Sequence, residues 1–69
     1  MSKIPSRLAR RVTWRGTGNA ITPYAADVDG LPWQLRINDF PAEPMYTLIV
    51  AGQEVEHFDD WPAAWRKPG

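Results

Sequence analysis

Tyr24-Ala25-Ala26-Asp27-Val28-Asp29-Gly30-Leu31-Pro32-Trp33-Gln34-Leu35-Arg36-Ile37 is the stretch whose reading decides the fold. Asp29-Gly30 readily adopts the two positive φ angles of a type I′ turn, whose twist matches that of the strands it joins. Read outward from that turn, Val28 faces Leu31, Ala26 faces Trp33 and Tyr24 faces Leu35. These six share one face of a β-ribbon, with Ile37 continuing it, while Ala25, Asp27, Gln34 and Arg36 take the other. The prolines test this register. Pairs alternate between hydrogen-bonded and non-hydrogen-bonded away from the turn, and Pro32 (opposite Asp27) and Pro23 (opposite Arg36) both fall on non-hydrogen-bonded positions.

Beyond the hairpin, residues 38–44 contain two prolines and read as a connection. Residues 45–50 form a strand and residues 53–58 its return, with Leu48 opposite Val55 in the simplest register. The Ala51-Gly52 turn between them suits type II or a bulged variant, because alanine resists positive φ; a bulge would send every later side chain to the opposite face. The run Phe58-Asp59-Asp60-Trp61-Pro62-Ala63-Ala64-Trp65-Arg66-Lys67-Pro68 predicts a short carboxy-terminal helix. Aspartate caps and a first-turn proline mark its start, and the basic residues suit its end. Trp61 and Trp65, four apart, would both press onto the sheet.

The amino-terminal part carries the charge. Residues 1–18 hold five cations (Lys3, Arg7, Arg10, Arg11, Arg15) and no acid, whereas residues 19–69 hold eight acids against Arg36, Arg66 and Lys67. The neutral total conceals a split of +5 against −5. Such a basic segment either meets an acidic partner or folds back on its own body. Val12 and Trp14 alternate with Arg11, Thr13 and Arg15, which predicts an edge strand from about residue 10. The four-residue spacing of Leu8 and Val12 also allows a short helix capped by Ser6. Residues 1–9 read as a basic, flexible arm, with residues 1–5 disordered, and residues 10–69 as one small domain.

The expected architecture is therefore α+β: a small antiparallel β-meander of four or five strands packed by one short carboxy-terminal helix. A chain of 69 residues buries a thin core. With no cysteine it has neither a disulfide nor a thiolate metal site. Its four tryptophans supply the missing mass. The expected core is Tyr24, Val28, Leu31, Trp33, Leu35, Ile37, Tyr46, Leu48, Val55, Trp61 and Trp65.

Catalytic groupings are sparse. His57 is the single histidine, and Ser2 and Ser6 sit in the arm, so a nucleophile–base pair has little to draw on. Glu54, Glu56, His57, Asp59 and Asp60 could hold a hard cation. Yet Glu54 and Glu56 would share one strand face and His57 the other, while the aspartates cap the helix, so a solvated face is the reading. Residues 25–36 fail as a calcium loop, because Arg36 stands where a bidentate glutamate must be. Gly16-Thr17-Gly18 fails as a dinucleotide fingerprint, because Ile21 takes the third glycine's place. The expectation is a non-enzymatic chain with no metal and no cofactor.

Arg7, Arg10, Arg11, Trp14 and Arg15 are the candidate partner-binding residues, since arginine and tryptophan anchor interfaces. The expected role is a small protein-interaction module that meets a protein partner or a second copy of itself through sheet edges and the basic arm. The alternative is a nucleic-acid-binding accessory protein that neutralises phosphates with that arm. No stretch has the length of a membrane helix. Absent cysteine, the six-to-two excess of arginine over lysine and the eight alanines suggest the cytoplasm of a bacterium with a GC-rich genome.

Overall fold

The computed structural model describes residues 6–68. Within them one short helix precedes seven strands: α1 (Ser6–Ala9), β1 (Val12–Thr13), β2 (Arg15–Gly16), β3 (Tyr24–Val28), β4 (Leu31–Ile37), β5 (Tyr46–Val50), β6 (Gln53–Phe58) and β7 (Trp65–Arg66). Strands β2 to β6 form a five-stranded antiparallel meander in sequence order, and β1 and β7 form a separate two-stranded ribbon.

The central hairpin follows from its turn. Asp29 and Gly30 have φ of 52° and 79°, the two positive angles of type I′. Tyr24 pairs with Leu35, Ala26 with Trp33, Asp27 with Pro32 and Val28 with Leu31. Pro32 has no partner in the β4–β5 ladder, which begins at Trp33 with Val50, so its missing N–H costs no ladder bond there, and its carbonyl accepts from Ala51 N at 2.9 Å. Pro23 lies just outside β3, and its carbonyl accepts from Thr17 N at 3.0 Å.

Three expectations are corrected. The β5–β6 turn is closed by Ala51 and Gly52 with φ of 51° and 83°, which is the type I′ pattern and not type II. The right-handed twist of the two strands selects this geometry even though alanine is strained there. Next, a bulge interrupts the β5–β6 ladder. Ile49 pairs with Glu54 but Leu48 pairs with Glu56, so Val55 is the extra residue and Leu48 does not face it.

Finally, the described residues form no carboxy-terminal helix; their short helix is amino-terminal. Residues 62–65 make a turn closed by Trp65 N donating to Pro62 O at 3.0 Å. The chain then runs parallel to β1, pairing Val12 with Trp65 and Thr13 with Arg66. A helix of that length gains few internal bonds. The strand instead supplies Arg66 O as acceptor for Trp14 N at 3.0 Å and buries the Trp65 ring.

The ribbon covers one face of the meander. Val12, Trp14 and Trp65 join Ala26, Val28, Trp33, Leu35 and Leu48 in one buried cluster, and Leu8, Tyr24, Tyr46, Val50, Val55, Phe58 and Trp61 pack around it. Trp14 is the most enclosed of the tryptophans, at 2% exposure, with ring centroids 5.0 Å from Trp65 and 6.4 Å from Trp33. Trp65 in turn meets Phe58 at 5.4 Å and Trp61 at 5.7 Å. Of the expected core, Leu31 is 46% exposed at the hairpin tip, beyond the ribbon's reach, and Ile37 is half-buried. Val12 and Trp14 were not expected there; they enter because the strand from Val12 to Gly16 passes from the ribbon into the meander.

Candidate functional site

Arg7, Arg10, Arg11, Trp14 and Arg15 do not form one surface. Trp14 is 2% exposed, so its ring is not available to a partner. Arg15 on β2 lies beside β3 and reaches Asp27 Oδ2 at 3.3 Å. Arg10 pairs with Asp29 Oδ2 at 2.7 Å, and Arg7 with Glu56 Oε2 at 3.3 Å. Each pair is weak, because water competes for both charges. Together they nonetheless turn the basic segment onto the acidic body. Leu8 packs on the core, and the Arg7 carbonyl accepts from Trp65 Nε1 at 3.3 Å. Residues 1–5 lie outside the described structure. Among the four candidate arginines, Arg11 alone has no described carboxylate partner.

The bulge reorganises the acids. Because Val55 is extra, Glu54 and His57 fall on one face and Glu56 on the other, the reverse of the expected grouping. On the open face of the meander, Thr47 becomes the hub of a polar cluster. Its Oγ1 accepts from Asn38 Nδ2 at 2.7 Å and more weakly from an Arg36 guanidinium nitrogen at 3.4 Å. His57 Nδ1 lies 2.9 Å from the same oxygen. Arg36 also donates to Glu54 Oε2 at 2.7 Å, and this hydrogen bond, with the guanidinium charge, holds the Glu54 carboxyl below its ordinary 4.5.

Hydroxyl, imidazole and carboxylate in this order have the sequence of roles of a nucleophilic triad. The geometry argues against that use. Thr47 is fully buried beneath Arg36, Asn38 and His57, so no substrate atom can approach Oγ1. Glu54 Oε1 stands 3.9 Å from His57 Nε2, beyond hydrogen-bond reach. The cluster covers the open sheet face. Among the described residues there is no group of three or more His, Asp or Glu placed to hold a metal ion.

A concave apolar surface lies elsewhere, between α1 and the chain from the end of β6 onward. Leu8 and Ala9 form one wall, and Phe58, Trp61, Pro62 and Ala63 form the other, around an open groove of about 600 Å³. Asp59 and Asp60 stand at its margin. Asp59 is structural: its Oδ1 accepts from Met45 N at 3.1 Å and ties the start of β5 to the end of β6. Asp60 is exposed and makes no ion pair among the described residues. Trp61 is held as a rigid wall, its Nε1 donating to Trp65 O at 3.0 Å and Lys67 Nζ lying 5.1 Å from its ring. Sequence reasoning missed this groove because its walls come from a segment read as a flexible arm and from one read as a helix.

A comparison of the chain with protein-family models, with curated proteins and with solved structures finds no match to any of them.

Proposed function

We propose that this chain is a small non-enzymatic protein-interaction module whose contact surface is the groove between α1 and residues 58–64. The carrying observation is the composition of that groove: aromatic and aliphatic walls beside the carboxylate of Asp60, which has no ion-pair partner among the described residues. Apolar walls favour a large aliphatic or aromatic side chain, and the carboxylate favours a cation next to it. The occupant is a segment of a partner protein with a bulky apolar residue adjacent to lysine or arginine. Residues 6–9 serve to build one wall of it through Leu8 and Ala9. That use also weighs against the nucleic-acid reading, since Arg7, Arg10 and Arg15 are engaged with acids and the Trp14 ring is enclosed.

The test is a titration of isotope-labelled protein with a short peptide carrying leucine between two lysines, compared with the same peptide carrying glutamates. Saturable shifts at Leu8, Phe58, Trp61 and Ala63 for the lysine peptide alone, weakened by Asp60→Asn, are expected. Equal response to both peptides, or none, would overturn the proposal. A concentration-dependent sedimentation coefficient that Asp60→Asn abolishes would identify a second copy as occupant. Tight, steeply salt-dependent binding of a single-stranded oligonucleotide would favour the nucleic-acid role instead.

A further inference from the structure

The six arginines divide into two groups. Arg7, Arg10, Arg15 and Arg36 each meet a carboxylate. Arg11 and Arg66 meet none among the described residues, and both line one polar groove of about 380 Å³. Thr13 lines it too, on the outward side of the β1–β7 ribbon, where it is the register partner of Arg66. Arg11, two residues before Thr13, lies on that same outward side. Two guanidinium cations lining one groove raise its local positive potential, which favours an anion there. The groove is closed by Ala63 and Ala64, whose backbone N–H groups donate to no acceptor among the described residues.

From this convergence we propose that Arg11, Thr13 and Arg66 form a binding site for a phosphate dianion, free or as the terminal group of a small phosphorylated molecule. The donor set selects phosphate over carboxylate. Two guanidinium forks and a hydroxyl offer more donors than the two oxygens of one carboxylate accept in good geometry, whereas three or four phosphate oxygens accept from all of them. The charges also match, because a phosphomonoester near neutrality carries about −1.5 to −2 against two guanidinium cations. This site goes beyond the peptide groove and stands or falls separately, although Ala63 and Ala64 line both.

The experiment is a titration of isotope-labelled full-length protein, at low salt, with inorganic phosphate, phenyl phosphate and acetate. The expected result is saturable binding of both phosphates in the millimolar range or tighter, with the largest shifts at Arg11, Thr13 and Ala63 to Arg66, and weaker binding of acetate. Arg11→Gln or Arg66→Gln should each lower phosphate affinity by about tenfold. Arg10→Gln, which removes an arginine paired to Asp29, should leave it unchanged. Preserved dispersion of the amide spectrum shows that each variant is folded. Tighter binding of phenyl phosphate points to a small phosphorylated molecule as the source, and equal binding to free phosphate. Absence of saturation, equal affinity for acetate, or the same loss in Arg10→Gln as in Arg11→Gln would overturn the site.

Discussion

Replacing Trp14 by alanine asks whether the basic segment is an appendage or part of the fold. Trp14 is 2% exposed and contacts the rings of Trp33 and Trp65. Truncating a buried tryptophan removes its transfer free energy and leaves a cavity that only partly collapses, for a loss of about 3–5 kcal/mol. The tilted ring pairs add roughly 0.5–1.5 kcal/mol each beyond area burial, but the buried Trp14 Nε1 has no hydrogen-bond partner among the described residues, and removing it offsets part of that. A chain of 69 residues has a total stability of roughly 3–10 kcal/mol, so Trp14→Ala should remove about a third or more of it. The counterpart is a triple Arg7→Gln, Arg10→Gln, Arg15→Gln variant. It removes three exposed pairs at about 0–1 kcal/mol each and should remain folded. Urea titrations followed by the fluorescence of the remaining tryptophans and by far-ultraviolet circular dichroism measure both. If Trp14→Ala lowered stability by less than about 1 kcal/mol, well below any buried-aromatic truncation, the packing of this segment as described would be wrong.

Other consequences are open to measurement. Glu54 is held below its ordinary 4.5 chiefly by the Arg36 hydrogen bond. A depressed folded-state value means that its contribution to stability is present above the unfolded value and is lost as pH falls through the folded one. Arg36→Gln should therefore raise the Glu54 midpoint in a carboxyl carbon titration and flatten the acid limb of the stability profile; an unmoved midpoint would contradict this. Ala51 sits at φ 51° before Gly52 at 83°, a pair of angles that asparagine tolerates better than alanine. Ala51→Asn should stabilise the hairpin by about 0.5–1 kcal/mol; a lower urea midpoint would refute that account of the turn.

The hairpin centred on Asp29-Gly30 was legible because a two-residue turn fixes the register, and the register fixes every face outward from it. The second hairpin was legible only to its first two pairs. Whether Val55 or Glu56 faces Leu48 depends on which of two adjacent residues the ladder skips. An apolar residue between two glutamates fits an outward or an inward face depending on that choice, so local alternation is silent. The carboxy-terminal error has a related origin. Aspartates, a proline and two tryptophans four apart suit a helical turn, but they equally suit a β-turn that brings Trp61 against Trp65. What decides between them is the parallel pairing of Val12 with Trp65, between opposite ends of the chain, and nothing local announces it. The polar cluster at Thr47 was hidden for the same reason, since His57 and Glu54 share a face only after the bulge.

The charge split that marks this sequence now takes a physical role. Strands β1 and β2 have two residues each, too few for backbone pairing alone to hold them at a chosen edge. Arg15 lies beside Asp27 because β2 is next to β3, and Arg10 meets the tip of the same hairpin at Asp29. Each pair is weak, yet all favour the same placement of the segment that delivers Trp14 to the core. Opposite charges gathered at two ends of a chain thus act as an address for a short strand before they act on anything outside. It follows that the charges informative about function are the unmatched ones. Arg11 and Arg66 line the same polar groove beside the ribbon, and Asp60 stands at the margin of the apolar groove. None of the three has a described partner to account for its place in the fold, so contacts beyond the chain are to be sought there.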